Sequence, residues 1–190
     1  MNLRDIKGVT LTELMIVLSI IAITAAIVIP MYTADLPRQK AKAAAQQMLT
    51  DLRLARARAV ANNQAYLICF NTDGYTLTPQ AGGPTDCDAA AANLRKTVDF
   101  IKSFSGVKFQ VGTIGGACPG MTTTQAIAFP SEVARFTRLG SSVDGSDNSV
   151  DGVVYLTNTQ DPKQQTYCVQ VEGTTGRAKL YRWDTADGWK

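Results

Sequence analysis

Histidine is absent from all 190 residues of the chain. That absence removes Ser-His-Asp and Cys-His catalysis, HExxH zinc chemistry and the usual imidazole general base. No GxxxxGK[ST] phosphate loop occurs either, so force and nucleotide hydrolysis would have to come from partners. The four cysteines, Cys69, Cys87, Cys118 and Cys168, form no CxxC pair. Zinc and thioredoxin-like chemistry are therefore disfavoured, and an even count suits two disulfides outside the cytosol. Charge is scarce as well: 19 basic and 16 acidic residues leave a net +3, which creates no global field. Any binding of nucleic acid or anionic lipid must come from local clustering. These absences exclude most enzymatic readings and point to a non-catalytic protein without metal or cofactor.

Set against them is one long apolar run. From Leu14 to Met31 no residue is formally charged, and only Ser19 and Thr24 bring hydroxyls. Eighteen helical residues extend ~27 Å, about one hydrocarbon thickness. Arg4 and Lys7 precede the run and would hold the N-terminus on the cytoplasmic side. A secretory signal peptide shares this layout, but the run exceeds the usual apolar core, and no small-x-small site closes it before Pro30. A plain membrane anchor explains the span but leaves Glu13, at its mouth, without a role. A charge at the bilayer centre costs at least ~2.5 to 3.5 kcal/mol, and less near the edge, so such a carboxylate usually has a task.

The stretch "KGVTLTELMIVLSIIAITAAIVIPMY" resembles the class III signal of type IV prepilins and type II secretion pseudopilins. The resemblance implies cleavage by a prepilin peptidase after Gly8 and methylation of the new N-terminus, Val9. The family's glutamate at the fifth mature position matches Glu13, and its helix-bending proline matches Pro30. Val9 stands where the family usually has phenylalanine, and Thr12 where a bulky aliphatic is common. The likeness also supplies a task for Glu13. Its carboxylate would pair with the freed ammonium of a neighbouring subunit, offsetting the cost of burying either charge and favouring one axial stagger.

Past Pro37 the segment "RQKAKAAAQQMLTDLRLARARAVANN" consists of good helix formers. Ala41, Ala45, Met48, Leu52, Ala55 and Ala59 recur at alternating steps of four and three, a narrow stripe of mostly small residues suited to lying closely on a sheet. Lys42, Gln46, Thr50, Arg53 and Arg58 fall on the polar side, and Asn62-Asn63 marks an end. Arg53, Arg56 and Arg58 read as a solvated helix face.

Beyond residue 63 short β-type runs alternate with turns. "AYLICFN" and "GYTLTP" flank Thr72-Asp73-Gly74 as a hairpin, followed by "TVDF", "VKFQVG", "AIAFP", "VVYLTN", "QTYCVQVE" and "RAKLYRW". Long polar loops separate them, including "GTIGGACPGMTTT" and "GSSVDGSDNSVDG". The latter clusters Asp144, Asp147, Asn148 and Asp151 without EF-hand order, which reads as an exposed turn more readily than as a calcium site. The tryptophans of "WDTADGWK" are expected to pack on the domain. The fold class is α+β, one long N-terminal helix packed on antiparallel sheet.

"DLRLARARAVANNQ", "IAFPSEVARFTRLGS" and "YCVQVEGTTGRAKLYRW" give the chain a resemblance to the GspH/FimT family of minor pilins and pseudopilins. It implies a low-abundance subunit processed at Gly8, assembled through its N-terminal helix with other pilins on an inner-membrane platform, in a pilus or secretion pseudopilus, near the tip. The chain would divide into leader 1–8, transmembrane helix 9–31, amphipathic half 32–63 and a periplasmic β-rich domain 64–190. Among three connectivities, Cys69–Cys87 with Cys118–Cys168 is the expected one, formed in the periplasm. FimT-type pilins carry a GRxR element linked to DNA capture, which here reads Gly176-Arg177-Ala178-Lys179. Strand alternation would set Arg177, Lys179 and Tyr181 on one face, with Arg182 nearby as a further candidate DNA contact. The alternative is a structural hairpin with solvated ends.

Overall fold

The computed structural model describes residues 9–88, 95–161, 163 and 165–190. It divides into two compact units, Met1–Leu36 and Pro37–Lys190. Helix α1, Leu11–Ala61, contributes to both. In the first unit every large apolar side chain from Leu11 to Val28 stands exposed. In the second, the alternating small residues of α1 become the floor of a core.

That core is enclosed by two antiparallel sheets. The first contains β1 (Tyr66–Asn71), β2 (Gly74–Pro79), β3 (Lys96–Asp99), β6 (Val133–Phe136) and β7 (Ser142–Val143), in the order β3-β2-β1-β6-β7. The second runs β11 (Gly188–Trp189), β10 (Ala178–Asp184), β9 (Tyr167–Val171), β8 (Gly152–Asn158) and β4 (Val107–Phe109), with β5 (Ile127–Ala128) also pairing β8. A four-residue helix α2, Phe100–Ser103, follows β3. The hairpin around Thr72-Asp73 forms with Asn71 opposite Gly74. The antiparallel sheet expected on the helix is divided into two, and both share the stripe on α1. Ala41, Ala44, Ala45, Met48, Leu52, Ala55 and Ala59 are all buried, in one cluster with Ile68, Phe70 and Leu77 of the first sheet and Val154, Leu156, Val169 and Val171 of the second. Alanines let backbone approach backbone, while Met48 and Leu52 fill the remaining space at about 2 kcal/mol each.

Alternation explains the outer faces. In β1 the inward residues are Tyr66, Ile68 and Phe70, so Leu67 and Cys69 face outward and form a small cluster with Val133 and Cys87. In the second sheet Val153, Tyr155 and Cys168 form the outer cluster with Cys118. Each outer face is closed by a disulfide that pins a loop across it, Cys69–Cys87 and Cys118–Cys168. The loop containing Cys118 is thus a cover as well as a polar connection. The Cys118 N–H donates to the Tyr155 hydroxyl at 2.8 Å, and that hydroxyl donates to the Thr123 carbonyl at 2.8 Å. Trp189 packs edge-on against Trp183 at 5.3 Å, stands 6.0 Å from Tyr155, and donates its indole N–H to the Gly116 carbonyl. Both tryptophans therefore pack on the domain. The Asp144 carboxylate accepts the Ser146 and Asn148 N–H groups and the Asn148 side-chain amide, and these bonds hold its pKa low. The turn satisfies itself, and among the described residues no cluster of metal-ligating side chains forms.

A carboxylate of α1 is buried beside the core. Asp51 on α1 is 1 % exposed and accepts hydrogen bonds from the Tyr75 hydroxyl at 2.6 Å, Lys96 Nζ at 2.6 Å and Gln47 Nε2 at 3.0 Å. Burial first, and then donation to Asp51, raise the Tyr75 pKa far above its ordinary value. The carboxylate fixes the rotation of α1 against β2 and β3, because a slide of one residue would bury it without donors. Replacing Asp51 by alanine strands the Tyr75 hydroxyl and removes the partner of Lys96, which is half exposed and recovers water. We expect a loss of about 2–3 kcal/mol in urea unfolding of the detergent-solubilised chain, read by tryptophan fluorescence. The disulfides should separate by access: Cys118 and Cys168 are 1 % and 0 % exposed, whereas Cys87 is only half buried. In dithiothreitol the native protein should lose Cys69–Cys87 first, with Cys118–Cys168 opening only on unfolding, as thiol alkylation and peptide mass spectrometry will report.

Candidate functional site

Two regions carry the candidate residues. The first is the start of α1. Thr10 is its N-cap: its hydroxyl accepts the Glu13 N–H at 3.2 Å, and Thr10-Leu11-Thr12-Glu13 has the S/T-x-x-E order of a capping box. Glu13 also lies in the first turn, where a negative charge meets the positive end of the helix dipole. Sequence reading gave Glu13 a role between subunits. The structure adds this local role, which the threonine three residues upstream would have signalled. Among the described residues no side chain pairs with the Glu13 carboxylate.

Behind Glu13, Leu11–Val28 is an apolar helix of 18 residues with mean hydropathy 2.4 and none of it buried. It is long and apolar enough to cross a membrane. The two hydroxyls after Glu13 are satisfied internally, Ser19 by the Met15 carbonyl at 2.8 Å and Thr24 by the carbonyls of Ile20 at 3.0 Å and Ile21 at 2.9 Å. Neither hydroxyl therefore needs water or a neighbour. Val9 is exposed, Pro30 falls within α1, and Gly8 lies outside the described residues.

The second region is the end of α1, where the turns β6–β7 and β9–β10 meet it. Gly140 and Gly176 both have positive φ, +85° and +62°. A Cβ on Gly176 would stand 1.9 Å from the Gly140 carbonyl oxygen and 3.3 Å from Arg56 Cδ, so the contact requires glycine at position 176. Arg56 Nε donates to that same Gly140 carbonyl at 3.1 Å, and Arg53 Nη2 donates to the Ala178 carbonyl at 3.3 Å. Arg53 and Arg56 are thus more than a solvated helix face: they tie one turn from each sheet to α1. Arg58 remains exposed.

Arg177 and Lys179 are exposed on either side of buried Ala178, and Arg182 stands apart from them. Arg177 precedes β10 in the turn and lines a groove with Arg53 and Arg56. Ala178 and Leu180 pack toward the main core and Tyr181 toward the outer cluster, so the exposed Lys179 belongs with Tyr181 on the outward face. Arg182 lies 3.7 Å from the Asp184 carboxylate.

An exposed apolar helix with one carboxylate at its cap, followed by a small-residue stripe that seats two antiparallel sheets, defines a membrane-anchored pilin-like subunit. Residues 3–29 match the prokaryotic N-terminal methylation motif, and residues 44–175 match the type II transport protein GspH. The chain belongs to the GspH family, as a pilin-like minor pseudopilin. No curated protein and no solved structure matches it.

The junction of the two glycine turns with α1 makes Gly176→Ala a sharp test. The added methyl group should cost about 2 kcal/mol or more in urea unfolding, from left-handed strain and the displaced Gly140 carbonyl. A change below ~0.5 kcal/mol would show that the two turns are not held together as described.

Proposed function

We propose that this chain is a minor subunit of a type II secretion pseudopilus. It is cut after Gly8 by a prepilin peptidase and methylated on Val9. It is then drawn from the inner membrane through Leu11–Val28 into a filament whose other subunits are pilin-like, with its own place near the tip. The β-rich domain stands on the periplasmic side, where its two disulfides form. Nothing in this role calls for catalysis: the chain supplies shape and surface, and partners supply the work.

The observation that carries the reading is the Glu13 carboxylate, unpartnered within the described chain at the mouth of a helix with no other charge before Val28. In hydrocarbon, or at its edge, an isolated carboxylate is costly, and the ammonium of a processed Val9 on a neighbouring subunit is a matching countercharge. The pair would form only at one axial offset, so electrostatics would select the stagger while the apolar helix supplies adhesion without register.

Glu13→Ala should leave leader removal and membrane insertion intact while reducing recovery in sheared filaments at least tenfold. Glu13→Gln should lose nearly as much, because the side chain keeps its shape and the charge that pairs is gone. Mass spectrometry of the mature protein should find methylated Val9 at the N-terminus. Normal incorporation of both variants would reject the pairing.

A further inference from the structure

The groove beside the last turns of α1 is unusual in its charge. It encloses about 700 Å³ between the helix and the β9–β10 turn, and Arg53, Arg56 and Arg177 line it with Ala57, Val60 and Ala178. None of the three arginines forms an ion pair with a described carboxylate. A guanidinium has five N–H donors. Arg53 and Arg56 each commit one to a backbone carbonyl, while the Arg177 guanidinium makes no hydrogen bond among the described residues. The acid nearest in the turn, Glu172, instead accepts the Thr175 hydroxyl at 2.7 Å. Two of the cations are therefore positioned by the fold and remain uncompensated.

The walls between them are apolar. Val60 is 52 % exposed, beside Ala57 and Ala61. A soluble domain gains nothing from leaving these beside unpaired charges. The geometry points to a docking site for a segment of a neighbouring filament subunit that presents a carboxylate beside an aliphatic side chain. The carboxylate would take the free forks of the arginines, and the aliphatic group would cover Val60. Nucleic acid fits less well. A phosphate backbone has no aliphatic group for Val60, and the other candidate cations, Lys179 and Arg182, do not line the groove, Arg182 sitting by Asp184. The inference rests on the proposed filament role only for the partner's identity as a neighbouring subunit.

The test places the photoreactive residue p-benzoylphenylalanine at position 60 of the full-length protein, in cells that assemble the filament. Irradiation should give an adduct with another pilin-like subunit, and the joined peptide should contain Asp or Glu within a few residues of an aliphatic side chain. Arg177→Glu should lower the adduct yield at least tenfold and Arg177→Gln severalfold. Both variants should keep the wild-type unfolding midpoint, since Arg177 makes no described side-chain bond. Reversing the partner's acid to lysine should restore the Arg177→Glu adduct. An adduct with nucleic acid or lipid, a joined peptide without a carboxylate, or a yield indifferent to Arg177 would overturn the assignment. If the protein enters filaments but position 60 gives no adduct, the groove assignment falls and the filament role stands. If the protein never enters filaments, the filament role falls, and an adduct with an acidic segment would then show the docking chemistry without the neighbour.

Discussion

The structure depends on close packing between α1 and two sheets, made possible by the run of alanines on one face of the helix. Ala41, Ala44, Ala45, Ala55 and Ala59 contribute little side-chain area, and their value lies in what they permit. With no bulk at these positions the main chain of α1 approaches both sheets, and Met48 and Leu52 fill the space that remains. The consequence is a division within one helix. The same element whose stripe is buried from Ala41 onward exposes every large apolar side chain from Leu11 to Val28. One end is solvated by protein, and the other calls for lipid or other helices.

Two further devices keep that arrangement unique. Hydrophobic packing alone would tolerate a sliding helix, but Asp51 would not, since its three donors come from α1 itself, β2 and β3. Sheets of this size also leave their outer faces incompletely shielded, and each disulfide draws a loop over one of them. In the usual chain-entropy account the 50-residue separation of Cys118 and Cys168 is worth about 4 kcal/mol, and the 18-residue separation of Cys69 and Cys87 about 3. The apolar outer face of β8 is thereby protected without a second helix.

The cationic groove follows from the same construction. Where α1 ends, the β6–β7 and β9–β10 turns converge on it, and two arginines of the helix are used to hold them. Holding requires only one N–H from each guanidinium, so the remainder of each fork is left beside exposed Val60. A structural joint and a charged recess thus share their residues, and substitutions at Arg53 or Arg56 would confound stability with binding. Arg177 alone separates the two.

The sequence by itself determined whatever depends on period and composition. The uncharged run and its lone glutamate, the small-residue stripe on α1, the hairpin at Thr72-Asp73 and the absence of a histidine-based site are all local patterns, and each is readable because helices repeat every 3.6 residues and strands every two. Tertiary structure decided what depends on neighbours distant in the chain. The strands β7 and β11 are two residues long and exist only because other strands pair with them. Four cysteines admit three pairings until strand register brings particular sulfurs together. Arg177 meets Arg53 and Arg56 across more than a hundred residues of chain. Such contacts have no period to read, since they arise where separate elements happen to end.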